Sequence, residues 1–311
     1  MSSLLGLGKV TKKEFNKLVL PFIPTPKNPE LDGTTLNLSG ETVIAHSPSI
    51  GVPLESLGFF AFHYSASNVA ARFGKPTYMV TGIYLPLKTP EKDLQTIAKS
   101  LGDEAKKYGV QIIAGQTATY YGLDIPLITS TCIGTQLKNS IIPNQGDYVL
   151  LVGEIGGEGV WLNDLSQGIH NDEWQSYTPL PAILLLQSEP SVKIMHDISE
   201  GGVIGSLYEI SESIEMRLDI ACEEIEFHPR ADEIEGDILR APSYGAFVMI
   251  ISPSGFDKVM EITQRNGFSC HHIGEIRKGE GIYIDGNKVT DQKRINIDEV
   301  YGSFNGKKRT N

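Results

Sequence analysis

The sequence is short of cysteine, of positive charge and of long apolar runs. Its 311 residues include three cysteines, Cys132, Cys222 and Cys270, which form no Cys-x-x-Cys pair and no Cys/His cluster of zinc spacing. Lysine and arginine number 27 against 38 aspartates and glutamates, a formal net charge of -11, without a long basic run. These absences argue against a zinc-finger protein and against a nucleic-acid-binding protein, whose affinity depends largely on neutralising phosphates.

Membrane-spanning and secretory patterns are also missing. No apolar run approaches the roughly 20 residues that span a bilayer, and the opening MSSLLGLGKVTKKEF has too short an apolar core for a cleavable signal peptide. We therefore expect a cytoplasmic protein without membrane contact. A Pro/Asn/Gly turn precedes a new strand and a glycine-rich loop within residues 139–159. This stretch predicts two domains, at 1–140 and 141–311.

The apolar pattern predicts strands with helices packed on them in both domains. The clearest helix is 89–109, where Thr89 is the predicted N-cap and Pro90 fits the first helical position. Residues 59–74 fit either a strand passing into a helix or a single apolar helix, and their small residues favour the helix. His63, inside this apolar stretch, is interpreted as a core residue.

In the second half, the stretch IMHDISEGGVIGSLYEI (194–210) combines several polar residues with a helix start. His196-Asp197 end a predicted strand over 192–197, and Gly201-Gly202 open a predicted helix over 202–214. Backbone N–H groups at a helix start attract anions, and glycine lets a phosphate approach closely. Polar residues between a strand and a helix often face a ligand. The same residues also fit an ordinary helix start whose His and Asp bond loop backbone, so both interpretations stay open.

Three further stretches carry polar residues among apolar ones. In IIAGQTATYYGLDIPLITSTCIGT (112–135) a predicted strand ends before Gln116 and Thr117. In SASNVAARFGKP (65–76), Asn68 needs hydrogen-bond partners if it is buried, so it is either a structural residue or a ligand contact. The third stretch, 31–51, places Asp32 before one predicted strand and Ser47 near the end of another.

These four stretches, in this order, resemble the superfamily of aminoimidazole ribonucleotide (AIR) synthase, selenophosphate synthetase and thiamine-monophosphate kinase, and are most similar to its HypE-like members. HDISEGGVIGSLYEI resembles that group's His-Asp-x-[Ser/Thr]-x-Gly-Gly segment. SNVAARFGKP is similar to its Asp-[Leu/Ile]-Ala-Ala helix, and AGQT to its Gly-Gly-[His/Asp]-Thr loop. HSPSIGVPLESLG resembles its Asp-Pro loop, and GDYVLLVGEIGGEG the start of its second domain.

The resemblance implies a two-domain α/β (α+β) fold in which the N-terminal sheets of two subunits pair into a dimeric β-barrel. It implies a homodimer with ATP and magnesium in a cleft between the domains, and a protein partner in a maturation pathway. One wall of the implied cleft would carry Asp32, Ser47, Asn68, Gln116 and Thr117. The other wall would carry His196, Asp197, Gly201 and Gly202.

The departures from the family pattern bear on the metal. Positions that carry carboxylates in the family are occupied here by Ser47, Asn68 and Ala118. A position that carries His or Asp in the family is occupied by Gln116. Asp32 matches the first acidic position of the family only if the alignment is shifted by about one residue. Magnesium usually needs one or two carboxylates beside phosphate, and phosphoryl transfer depends on that metal. We therefore expect magnesium to bind weakly or not at all. The final NGKKRTN also lacks the C-terminal cysteine on which HypE acts.

Three hypotheses remain from the sequence. The first is a HypE-like homodimer that binds ATP, a related nucleotide or a phosphate compound without the usual catalysis. The second is a non-enzymatic binding or scaffold protein of a maturation pathway. The third is an active ATP-dependent enzyme, of transfer or dehydration type, whose carboxylates come from other positions such as Asp124, Asp197 or Glu209.

Overall fold

The structure, a computed structural model, describes residues 33–37 and 40–290. Within these residues the chain forms two β-sheets and six α-helices, arranged as two domains of mixed α/β structure. The predicted fold class is thereby confirmed at this level. None of the helices in the described ranges is long and apolar enough to cross a membrane.

The first sheet has five strands in the order β1-β2-β5-β3-β4, paired antiparallel except for the parallel pair β3 and β4. Its strands are β1 (Gly33–Asn37), β2 (Glu41–Ile50), β3 (Gly74–Pro86), β4 (Gln111–Tyr120) and β5 (Leu127–Gln136). Helices α1 (Leu54–Ala71) and α2 (Glu91–Lys107) pack against each other, and α1 packs on the sheet. The sheet therefore has a helix-covered face and an open face.

Alternation along β5 shows the two faces directly. Ile128, Ser130 and Cys132 are fully buried under α1, whereas the residues between them point to the open face and are partly exposed. Strand β4 lies at the edge of the sheet, and nearly all of its residues are exposed. This edge and the open face leave Ile112, Ile113 and Tyr120 accessible.

The second sheet has seven strands in the order β12-β11-β8-β10-β6-β9-β7. Its strands are β6 (Tyr148–Val152), β7 (Val192–Asp197), β8 (Arg217–Ile220), β9 (Phe247–Ile251), β10 (Cys270–Arg277), β11 (Gly281–Ile284) and β12 (Asn287–Lys288). Its helices are α3 (Gly157–Ser166), α4 (Leu180–Leu186), α5 (Gly202–Ile214) and α6 (Phe256–Arg265). Strands β6, β7 and β9 are almost wholly buried, and β6 and β9 accordingly have continuous apolar sequences.

Helix α1 joins the two domains. Its apolar residues belong to one core cluster with residues of α3, α4 and β9, and Phe60 lies 5.6 Å from Trp161 between ring centroids. Lys138, in the segment between the sheets, donates to the carbonyl oxygens of Glu189 and Val192 at 2.5 and 2.9 Å. The domains therefore share buried surface and hydrogen bonds.

Several predicted elements are confirmed, among them the strand 192–197 and the helix 202–214. Residues 59–74 are mainly helical, as part of α1. Helix α2 differs from its prediction at the start. Its N-cap is Pro90, and the Thr89 hydroxyl instead donates to the Pro86 carbonyl at 2.7 Å.

Two elements escaped the sequence pattern. Strand β4 continues through Gln116 to Tyr120, where a loop was predicted, because its parallel neighbour β3 pairs with it along the whole length. The glycine-rich loop after β6 becomes helix α3. There, buried Val160, Trp161 and Leu162 outweigh the low helix propensity of the preceding glycines.

Candidate functional site

The turn between β7 and α5 follows two polar residues at the end of a strand. His196 and Asp197 are the last two residues of β7, and both are buried. Ser206, one turn into α5, donates its hydroxyl to the Asp197 carbonyl at 2.8 Å. The start of α5 is thereby fixed against the end of β7.

His196 lies between two carboxylates. Its Nε2 is 2.6 Å from Glu209 Oε2, and its Nδ1 is 3.7 Å from Asp197 Oδ1. Glu209 comes from α5, and its side chain is 39% exposed. The histidine is therefore held by both elements that form the turn.

The two adjacent glycines differ in their surroundings. Gly201 is the N-cap of α5 with φ 86°, and the nearest atom to a Cβ built on it is 3.5 Å away. Gly202 has φ 61°, and a Cβ there would meet the Leu239 carbonyl oxygen at 2.6 Å. The Gly202 N–H also donates to the Ser199 carbonyl. A Cβ at Gly201 would thus make only ordinary van der Waals contact, whereas a Cβ at Gly202 would clash with the backbone packed against it.

The other predicted wall contains Ser47 and Asn68. Ser47 is on β2 and Asn68 is on α1, where it is 8% exposed. The Asn68 amide donates to the Ser47 hydroxyl at 3.4 Å. The structure therefore brings these two residues together as a neutral pair, at positions where the family resemblance implies carboxylates.

Gln116 and Thr117 point to opposite faces of the first sheet. Thr117 is paired with Ile83, whose side chain lies on the helix-covered face, whereas Gln116 is paired with Gly82. The Gln116 amide donates to the Tyr120 hydroxyl at 2.7 Å. Gln116 accordingly lies on the open face, away from the pair of Ser47 and Asn68.

The remaining candidates are scattered. Asp32 lies outside the described residues. Asp124 is exposed in the loop between β4 and β5. In the described ranges, no group of three or more His, Cys, Asp or Glu side chains is arranged to hold a metal ion.

Helix α1 brings the Asn68 wall to the His196-Asp197 wall. It packs directly against β7, and Ser67, beside Asn68, accepts a hydrogen bond from the Tyr244 hydroxyl at 2.9 Å. Burial raises the pKa of Tyr244 well above its usual value, and the charge of Asp197 raises it further. Helix α1 thus contacts both the strand that ends at Asp197 and the hydroxyl of Tyr244.

Sequence reasoning missed Tyr244 and Ser67. Ser67 follows His63 by one helical turn, so its place on the same face of α1 was readable. The stretch around Tyr244 gave no signal, because its contact with α1 depends on how the domains pack.

Comparisons with known proteins identify the family. The family models for AIR synthase-related proteins match the N-terminal domain over residues 31–136 and the C-terminal domain over residues 144–287. The chain belongs to the AIR synthase-related family.

Relatives within this family have different activities. The chain is 26% identical over 249 residues to carbamoyl dehydratase HypE of Rhizobium leguminosarum, covering 75% of this chain and 71% of the relative. It is 27% identical over 238 residues to thiamine-monophosphate kinase of Pyrococcus horikoshii, covering 71% of each. Both matches support membership of the family, and they point to two different reactions.

Solved structures show the same fold. A HypE structure in complex with ATP matches with a TM-score of 0.71 at 17% identity, over 92% of this chain and 96% of that one. A HypE–HypF complex matches with a TM-score of 0.71 at 22% identity, over 82% and 89%. The AIR synthase-related fold predicted from the sequence is therefore confirmed.

Proposed function

We propose that this AIR synthase-related protein is a HypE-like homodimer that binds a nucleotide of the ATP type, or another phosphate compound, between its domains. The observation that carries this proposal is the turn before α5. There Gly201 adopts a left-handed conformation in which an added Cβ would make only ordinary van der Waals contact, at the start of a helix whose N–H groups favour anions. Helix α1, which carries Asn68, packs against β7, the strand that ends at His196 and Asp197.

Related proteins support a nucleotide as the ligand. The similar HypE structure contains ATP, and a thiamine-monophosphate kinase is among the relatives. The first wall here has a serine and an asparagine at 3.4 Å, without carboxylates. Neutral oxygens attract magnesium less than carboxylates do. We therefore assign binding to this site, without a catalytic step.

The first sheet supports the homodimer. On its open face, every second residue along β5 is partly exposed, and its edge strand β4 is exposed along nearly its whole length. Exposed sheet edges are usually covered in native proteins because their free N–H and C=O groups promote pairing. A second copy of this chain would cover both features.

Isothermal calorimetry of the full chain with ATP tests the site. We expect ATP to bind, with an affinity that added magnesium changes little, because the first wall lacks the carboxylates that hold this ion. ADP should bind in the same way. The absence of any binding would overturn the proposed function, and a strong dependence on magnesium with ADP release would instead support an active enzyme.

Restoring a carboxylate tests the position of the first wall. Asn68→Asp should make ATP binding stronger with magnesium by about tenfold, because a carboxylate next to the phosphates supplies a ligand for the ion. Gln116→Asp is the matched control, since it adds the same charge on the open face of the sheet. Equal gains in the two variants would show that the open face belongs to the site, and no gain at position 68 would contradict its place there.

A scaffold function is the second candidate. A HypE–HypF complex is among the similar structures, and the neutral pair of Ser47 and Asn68 fits a site that has lost its chemistry. In this case the chain would bind a protein partner of a maturation pathway. Failure of ATP to bind in the calorimetric test would favour this function.

A further inference from the structure

One face of α1 forms much of the contact between the domains. His63 and Ser67 are one helical turn apart, as are Tyr64 and Asn68. All four residues lie close together on this face, so a small shift of α1 against the C-terminal domain would also move Asn68. The contacts that fix α1 therefore fix the first wall of the proposed site.

Tyr244 is a polar side chain of the C-terminal domain that contacts α1 through both its hydroxyl and its ring. It is 1% exposed, and its hydroxyl donates to Ser67 Oγ at 2.9 Å. Its ring meets that of Tyr64 edge-on, with centroids 4.5 Å apart. Its backbone N–H donates to the buried Glu158 carboxylate at 2.8 Å. Tyr244 is thus held by α3 and in turn holds α1.

The segment that contains Tyr244 also supports the second wall. The Ile198 N–H donates to the Ala246 carbonyl at 3.0 Å, and Phe247 is paired with Asp197 in the sheet. Residues 244–247 therefore contact Ser67 at one end and Asp197 at the other. The distance between the two walls depends on this short segment.

Hydrogen bonds of His63 add a second link across the domain contact. The Thr178 hydroxyl lies 2.7 Å from His63 Nδ1, and His63 Nε2 lies 2.8 Å from Glu104 Oε2 on α2. Both helices of the N-terminal domain are thereby connected to Thr178 of the C-terminal domain.

We infer that Tyr244 is a positioning residue of the nucleotide site, which sets the place of Asn68 relative to His196 and Asp197 by holding Ser67. This inference rests on the proposed function. Tyr244 has no part in the binding chemistry itself. It acts through Ser67, so its effect on affinity should disappear when Ser67 can no longer accept its hydrogen bond.

A double-mutant cycle measured as ATP affinity tests this role. Tyr244→Phe keeps the ring and removes the hydroxyl, and it should raise the Kd of ATP about three- to tenfold, the range expected for one lost hydrogen bond. Ser67→Ala should have a similar effect from the other side of the contact. The double variant should be no weaker than the weaker single variant, because both changes remove the same interaction.

Tyr177→Phe is the matched control. Tyr177 is also buried, but its hydroxyl donates to Glu173 within the same domain. This variant should bind ATP as the unmodified protein does. Unchanged affinity in Tyr244→Phe, or losses that multiply in the double variant, would overturn the positioning role while the site stands. If the unmodified protein binds no ATP, the proposed function fails and the role fails with it.

Discussion

Replacing Gly202 by alanine is expected to lower the free energy of unfolding by about 3 kcal/mol. The φ of this residue is 61°, where an L-residue costs about 1–2 kcal/mol. A new Cβ would lie 2.6 Å from the Arg240 carbonyl carbon and from the Leu239 carbonyl oxygen. Because both obstacles are backbone, they cannot rotate away, and such overpacking costs about 1–3 kcal/mol more.

Gly201→Ala is the matched control for Gly202→Ala. Gly201 also has a left-handed backbone, with φ 86°, but the nearest atom to its built Cβ is 3.5 Å away. We expect Gly201→Ala to lower the free energy of unfolding by only about 1–2 kcal/mol, the cost of a left-handed backbone for an L-residue. Chemical denaturation of both variants measures this difference. Equal losses would show that residues 239–241 do not press on Gly202.

This pair of glycines also shows where sequence reasoning stops. The motif predicted the same role, close approach of a phosphate, for both glycines, because either position at a helix start allows it. The structure separates them through residues 239–241, which are nearly forty positions away along the chain. Contacts of that kind leave no local pattern.

Helices and strands could be predicted from the sequence where the apolar residues follow one regular spacing. The strand 192–197 and the helix 202–214 follow their apolar spacing and agree with the structure. Strand β4 was predicted too short because its residues are exposed and do not alternate between apolar and polar side chains. Its end is defined only by its pairing with β3. The start of α3 was missed because three glycines obscured a buried apolar face.

The candidate site was readable in part. The resemblance brought Ser47 and Asn68 to one wall, and they do lie 3.4 Å apart. It also assigned Gln116 to that wall, but the register of β4 turns this side chain to the open face. A shift of one residue in a strand reverses the face, so motif matching alone does not decide which neighbour points toward a ligand.

The stability of the chain should fall as pH drops below 6.5 because of His63. Burial lowers the pKa of this imidazole from its usual 6.5, more than the hydrogen bond and charge of Glu104 raise it. The imidazole has no solvent exposure and lies 4.1 Å from the Phe59 ring. It is therefore held in its neutral form by the apolar core, as its place in the sequence suggested.

The sign follows from proton binding in the two states. Below pH 6.5 the unfolded chain protonates His63 while the folded chain does not, so its stabilising contribution is present above this pH and is lost as pH falls toward the folded pKa. Glu104 acts in the same direction but in a lower window. Its own burial raises its pKa, the contacts with His63 and Lys107 outweigh that effect, and its folded pKa lies below 4.5. Measurements made well above pH 4.5 are thus little affected by the protonation of Glu104.

Urea denaturation at several pH values, compared with His63→Gln, isolates this group. Glutamine retains a donor for Glu104 and an acceptor for Thr178 but does not titrate, so the variant should be less stable at pH 7 and its stability should change less toward pH 5. His46→Gln is the control, because His46 is exposed on the open face and bonds only Thr131 among the contacts described for it. A slope in His63→Gln equal to that of the unmodified protein would show that another group titrates. A flattened slope would establish that His63, in the contact between α1, α2 and Thr178, is the group that titrates.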